Sequence, residues 1–139
     1  MGRLLIVEAD GGSRGNPGQA GSGSVVIDAA SGEIIAEVGR YIGIATNNVA
    51  EYRGLVEGVR RALAIDPDAE LQVRMDSKLV VEQMSGRWKI KHPQMAELAA
   101  EARMLLTGTP VQFVWVPRLE NSRADKVANR AMDLRADFD

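Results

Sequence analysis

At 139 residues, with 45% hydrophobic and 26% charged side chains, the chain has the size and composition of one globular domain with one core, not of a disordered or fibrous protein. The absence of cysteine and the single histidine, His92, exclude disulfides, thiolate chemistry and multi-histidine metal clusters, so any chemistry must rest mainly on carboxylates. A net charge of −2 excludes a global attraction to nucleic acid and leaves only a local basic face for that purpose.

Leu4-Leu5-Ile6-Val7 is apolar at every position, which suits a central strand covered on both sides. It follows the initiator too closely for a cleavable leader, and no run reaches the ~18 apolar residues of a membrane span. A cytoplasmic protein without a membrane partner is expected. The turn-rich stretch from Asp10 to Gly18 predicts that this strand ends near Asp10. Two further strands, about Gly21 to Asp28 and Glu33 to Tyr41, are separated only by Ala29-Ala30-Ser31-Gly32, which favours an antiparallel hairpin.

From Thr46 the period changes. Val49, Tyr52, Val56, Val59 and Leu63 recur at helical steps, with Thr46, Asn47 or Asn48 available as the N-cap. Leu71, Val73 and Met75 alternate as a fourth strand, and Ser77 can cap a short helix running toward Gly86. Met95 to Leu106 forms another helix, Val111 to Val116 a fifth strand, and Ala124, Val127, Ala128 and Ala131 a last helix starting near Asn121 or Ser122. The order β-β-β-α-β-α-α-β-α belongs to the α/β class. A right-handed crossover through the long helix sets strand four beside and parallel to strand one. Their carboxyl ends, carrying Asp10 and Asp76, then adjoin where open α/β sheets bind ligands.

Four carboxylates converge on that location: Asp10 and Asp76 at strand ends, Glu51 in the first turn of the long helix, and Asp125 near the start of the last. Most of the 19 acidic residues must serve solubility, and an acid at a helix start also favours the helix dipole. Glu51, however, shares a flank with Leu55 and Ala62 beside the buried stripe, where an unpaired carboxylate is costly. Hard oxygen ligands without histidine or thiolate suit Mg²⁺ or Mn²⁺, and two such ions serve in-line phosphoryl displacement. Lys78, Arg87, Lys89, Lys91 and His92 surround Trp88 with only Glu82 among them, and Arg118, Arg123, Lys126 and Arg130 form a second basic group. Charge runs of this kind are commonly solvated faces.

The ordered motifs DGGSRGNPG (10–18), TNNVAE (46–51), MDS (75–77) and NSRADKVAN (121–129) resemble those of type 1 ribonuclease H over almost the whole chain. With SKLVVEQMSGRWKIKHP (77–93) they are similar to the N-terminal domain of actinobacterial proteins that join a ribonuclease H to a histidine-phosphatase domain. The resemblance implies a ribonuclease H-like fold, a five-stranded mixed sheet of order 3-2-1-4-5 with helices on both faces, and residues 1–139 as the N-terminal part of a longer chain with no obligate protein partner. It further implies endonucleolytic hydrolysis of the RNA strand of an RNA–DNA hybrid, leaving 3′-hydroxyl and 5′-phosphate ends, with Asp10 bridging two metal ions, Asp125 completing one site, and Glu51 and Asp76 holding the other. Asn16, Asn48, Glu51 and the main chain around Gly12 and Asp76 would read 2′-hydroxyls, the group that distinguishes RNA from DNA, while Thr46 and Asn47 would face the DNA strand. Ser13, Ser77, Lys89, Lys91 and Arg118 join this substrate-binding set, and Trp88 either stacks on a sugar or base or packs locally.

Two departures stand out. The loop Val116 to Asn121 lacks the histidine that family members often carry, leaving Arg118 as the candidate substitute, and the basic tryptophan-bearing protrusion is shortened to about Gly86 to His92. A catalytically silent nucleic-acid-binding module on the same fold, and a phosphomonoesterase using the same ions, are the alternatives.

Overall fold

A computed structural model describes residues 3–139. Five strands form one sheet in the order β3-β2-β1-β4-β5: β1 (Leu4–Arg14), β2 (Gly18–Asp28), β3 (Ile34–Ala45), β4 (Glu70–Met75) and β5 (Val111–Trp115). Neighbours β1–β2 and β2–β3 are antiparallel, whereas β4 runs parallel to both β1 and β5. The helices are α1 (Asn47–Ile65), α2 (Lys78–Met84), α3 (Pro93–Leu105) and α4 (Ser122–Leu134), the last preceded by a 3-10 turn, Arg118–Asn121.

The alternation along β1 sorts its side chains between two layers. Leu5, Val7 and Ala9 are wholly buried in the larger core with Tyr52, Leu55, Val56 and Val59 of α1 and the apolar residues of α2 and α3. On the opposite face Ile6 joins Val25, Ile27, Ala124 and Val127 in a smaller core beneath α4. The expected caps form: Thr46 accepts from the Val49 amide at 3.3 Å and Ser77 from the Val80 amide at 3.2 Å. With Thr46 as cap, α1 starts at Asn47, so Glu51 lies beyond the first turn and the helix dipole does not account for it.

One strand end differs from the sequence expectation. β1 does not stop near Asp10 but pairs with β2 as far as Arg14↔Gln19, because β2 supplies ladder partners to Gly11, Gly12 and Ser13 that no local turn signal reveals. What ends early is the other ladder: the parallel pairing with β4 stops at Glu8↔Arg74. The sheet therefore forks, and Asp10 sits just past the fork. Gly11 and Gly54 hold α1 against this point. A Cβ on Gly54 would stand 2.5 Å from the Asp10 carbonyl oxygen, and one on Gly11 would overlap the Ala50 carbonyl and lie 2.5 Å from the Glu51 amide nitrogen.

Candidate active site

Each of the four acids reaches the fork from a different element. Asp10, 9% exposed, comes from β1. Asp76 directly follows β4, where its carbonyl accepts from the Trp115 indole N–H at 3.1 Å. Glu51 comes from the second turn of α1, and Asp125 from the first turn of α4. All four line one cleft of about 410 Å³, with Gly12, Ser13, Asn47 and two cations, Arg14 and Arg118, on its walls.

Burial and mutual repulsion govern the protonation of this cluster. Burial, the nearby Asp76 and Glu51 charges and a hydrogen bond to Asp125 together push the Asp10 carboxyl from its ordinary 3.8 up to about 8. Protonated Asp10 thus hydrogen-bonds to Asp125, as expected for a carboxyl that cannot ionise cheaply beside other carboxylates. Burial pushes Glu51 up to about 7, with Asp76 adding to the effect and a hydrogen bond from Ser77 opposing it. One Glu51 oxygen, Oε2, is buried without any hydrogen-bond partner. Among the described residues no three acids or histidines stand close enough around one point to hold an ion as they are. Asp10 leans on Asp125 and Asp76 on Asn121 instead.

Asn121 is the site residue that sequence reasoning missed. Its position suggests a helix cap, yet it makes no capping bond. Its amide N–H₂ donates to Asp76 Oδ1 and to the Ala9 carbonyl, both at 2.9 Å, from a side chain only 1% exposed. It ties the ends of the diverging β1 and β4 together and orients Asp76.

These raised values have a consequence for stability. A carboxyl whose pKa is higher in the folded than in the unfolded state stabilises the fold fully below its unfolded pKa and loses that contribution as pH rises through the folded value. Without divalent metal, the melting temperature should therefore fall as pH rises from the ordinary carboxyl range near 4 to about 8, the interval in which the fold retains protons on Asp10 and Glu51 that the unfolded chain has lost. Saturating Mg²⁺ should flatten that slope. A metal-free melting temperature that rises over the same range would contradict the protonation assigned here.

A family model described as "Reverse transcriptase-like" matches residues 8–131. The chain is 53% identical over 133 residues to the bifunctional protein Rv2228c of Mycobacterium tuberculosis, covering 95% of this chain and 36% of that protein. The solved N-terminal RNase H domain of Rv2228c superposes with a TM-score of 0.90 at 52% identity, covering 95% of each chain. LC11-RNase H1, solved in complex with an RNA/DNA hybrid, superposes with a TM-score of 0.88 at 40% identity, covering 94% of this chain and 98% of that one. The chain belongs to the type 1 ribonuclease H family. It spans about a third of the length of the mycobacterial relatives it matches.

Within the ribonuclease H frame the expected substrate residues fall into four groups. Gly12, Ser13, Asn47 and Arg118 share the cleft with the acids. Asn16 and Asn48 are exposed beside it, and the first of these is part of a small network. Asn16 Oδ1 accepts from the Asn47 amide at 3.1 Å, and Asn47 Oδ1 accepts from the Ser13 amide at 2.8 Å. That network locks the 13–18 turn onto the start of α1. Thr46 and Ser77 use their hydroxyls as caps. Trp88, Lys89 and Lys91 lie outside the cleft on an exposed segment, with Trp88 46% exposed.

Both basic groups are thinner than their sequence suggests. Arg87 is paired with Glu82 at 2.5 and 3.0 Å, Arg123 with Glu8, and Arg130 lies 4.5 Å from the Phe138 ring centroid. The segment carrying Lys89 is nonetheless held firmly. Buried Gln83 accepts from the Tyr52 hydroxyl at 2.7 Å and donates to the Lys89 carbonyl at 3.0 Å, linking α1 to the basic segment. No helix among the described residues is long and apolar enough to cross a membrane.

Proposed function

We propose that this domain, residues 1–139 and the N-terminal part of a longer chain, hydrolyses the RNA strand of RNA–DNA hybrids endonucleolytically, leaving 3′-hydroxyl and 5′-phosphate ends. The observation that carries the reading is the single cleft lined by four carboxylates from four elements, with buried Asp10 and half-buried Glu51 both pushed up toward neutral pH. Such a cluster is relieved by cations. The unpartnered Glu51 Oε2 and the all-oxygen donor set fit Mg²⁺ or Mn²⁺, so Asp10, Glu51, Asp76 and Asp125 would hold two divalent ions. When bound, such ions supply Lewis-acid activation of the attacking water and neutralise charge on the leaving oxygen.

The chain's own residues bind and orient the polymer. Asn16, Asn48 and the main chain at Gly12 offer donors and acceptors to successive 2′-hydroxyls, and Asn47 with the start of α1 faces the DNA strand. Lys89 and Lys91 follow the phosphates beyond the cleft, with Trp88 just before them in the same exposed segment. A labelled RNA–DNA hybrid, duplex DNA, duplex RNA and nitrophenyl phosphate, each with Mg²⁺ and with chelator, test the reading. Cutting only the RNA of the hybrid is expected. Preference for the nitrophenyl ester would favour a phosphomonoesterase, and binding without cutting a silent module.

Two variants test the substrate contacts. Lys89→Glu/Lys91→Glu should raise KM and flatten the salt dependence of hybrid binding, since each lost phosphate contact removes counterion release. Gln83→Leu should do the same more weakly by freeing the segment. Hybrid KM unchanged in both would remove this segment from substrate binding.

Arg118 is exposed on the cleft wall and cannot act as a base, because a guanidinium stays protonated. Arg118→Ala is expected to lower turnover only modestly, by less than about tenfold, or ~1.4 kcal/mol of barrier. Arg118→His should add an inflection near the imidazole range to the pH–rate profile. Complete loss of activity in folded Arg118→Ala would put this arginine in the catalytic core.

A further inference from the structure

We propose that the ion pair between buried Glu8 and half-exposed Arg123 positions Asp125: it fixes the start of α4 against β1 and so sets the separation of Asp10 and Asp125 across which a divalent cation would be held. The inference rests on the metal-dependent reading of the cleft given above.

Glu8 is 2% exposed and lies on the same face of β1 as Asp10, two residues away. Arg123 meets it with two parallel bonds, Nε to Oε1 at 3.0 Å and Nη2 to Oε2 at 2.7 Å. This fork geometry fixes direction as well as distance. Arg123 stands two residues before Asp125 in the first turn of α4. Next to it, Asn121 donates to the Ala9 carbonyl. Three consecutive residues of β1, Glu8, Ala9 and Asp10, thus each engage a residue between Asn121 and Asp125. No side-chain cap holds the start of this helix locally, so these cross-links set where Asp125 stands.

Stability alone does not explain an ion pair here. Burying the Glu8 carboxylate costs desolvation, an ion pair with a half-exposed arginine contributes little net stability in return, and the best-attested use of such a pair is to fix register. Two residues earlier on the same face, Ile6 packs under α4 as a simple aliphatic side chain. At Glu8 a charged pair is present where an aliphatic contact would serve the core, and it sits beside a site whose ligands must be placed closely. Partners that orient metal ligands typically change metal affinity by about 10–100-fold when removed.

The test is calorimetric binding of Mn²⁺ to the whole domain, with hybrid KM and kcat measured in parallel, for the parent, Glu8→Met/Arg123→Met and Arg123→Lys. The double variant exchanges the pair for apolar side chains and should fold. It should bind Mn²⁺ about tenfold or more weakly, and kcat at fixed Mn²⁺ should fall in proportion while KM changes less than about twofold. Arg123→Lys keeps the charge but loses the fork, and should weaken Mn²⁺ binding several-fold. Mn²⁺ affinity within about twofold of the parent in the folded double variant overturns the proposal, and if that variant does not fold, unchanged affinity in Arg123→Lys does so. Failure of the parent itself to bind Mn²⁺ and cut hybrid brings down the functional reading along with this one, and is seen before any variant is made.

Discussion

Asp10→Asn is expected to lower hybrid cleavage by roughly a thousandfold or more and, at the same time, to raise the melting temperature of the metal-free protein at pH 8. The two effects have one cause. Asp10 is held up to about 8 by burial and by Asp76, Asp125 and Glu51 around it, so at pH 8 without metal the fold retains an unfavourable carboxylate or must take up a proton. An amide of the same shape keeps a hydrogen bond to Asp125 and carries no charge. A gain of about 2 kcal/mol, or roughly 6 °C in a domain of this size, follows from removing that repulsion. The loss of activity follows because the same charge is what attracts cations, whose stabilisation of the transition state amounts to several kcal/mol, a thousandfold or more in rate. Thermal melts in chelator at pH 5 and pH 8 separate the parts. Asp10→Asn that is less stable than the parent at pH 8, or that cuts hybrid at near-parental rate, would show that the cluster is not repulsive or not catalytic.

Gly11→Ala is expected to have the largest effect on the fold. Its Cβ would overlap the Ala50 carbonyl, with the Glu51 amide nitrogen at 2.5 Å. These are backbone atoms of α1, which cannot rotate aside as a flexible side chain would. The helix would have to shift away from β1, disrupting the packing of Tyr52, Leu55 and Val56 on Val7 and Ala9. A loss of roughly 3 kcal/mol or more is expected, measurable by urea unfolding. Any folded fraction should cut hybrid poorly, because the shift carries Glu51 away from Asp10. Gly54→Ala makes the reciprocal contact, 2.5 Å from the Asp10 carbonyl oxygen, and should behave alike. Parental stability and activity in Gly11→Ala would mean that close approach of α1 does not set the site.

Much of this architecture is legible in the sequence because it is written in local periods. The alternation of Leu71, Val73 and Met75, the helical steps from Val49 to Leu63, and the capping hydroxyls of Thr46 and Ser77 each reflect backbone geometry within a few residues. The crossover rule then brings Asp10 and Asp76 together. The long-range polar pairings escape such reasoning. Asn121 reads as a cap but bonds to Ala9, 112 residues away, and Arg123 reads as part of a basic patch but is paired with Glu8, 115 residues away. Gln83 looks like an ordinary polar residue in a short helix, although it is buried between Tyr52 and Lys89. Nothing in the spacing of these residues encodes a partner so distant. The one available signal is a polar residue on a face that periodicity marks as buried, as with Glu8 following Ile6. The continuation of β1 to Arg14 was hidden for a related reason, since its glycines favour turns locally and are held extended only by pairing with β2.

Metal-dependent cleavage by the four-carboxylate cleft is tested by end-group analysis of products from a 5′-labelled RNA strand annealed to DNA, incubated with Mg²⁺ and the parent protein or Asp76→Asn. Internal cuts in the RNA only are expected, with new ends carrying 5′-phosphate and 3′-hydroxyl, none of them in chelator, and near-complete loss in Asp76→Asn while hybrid binding persists. Cleavage that survives both chelator and Asp76→Asn, or cuts that fall in the DNA strand, would contradict it.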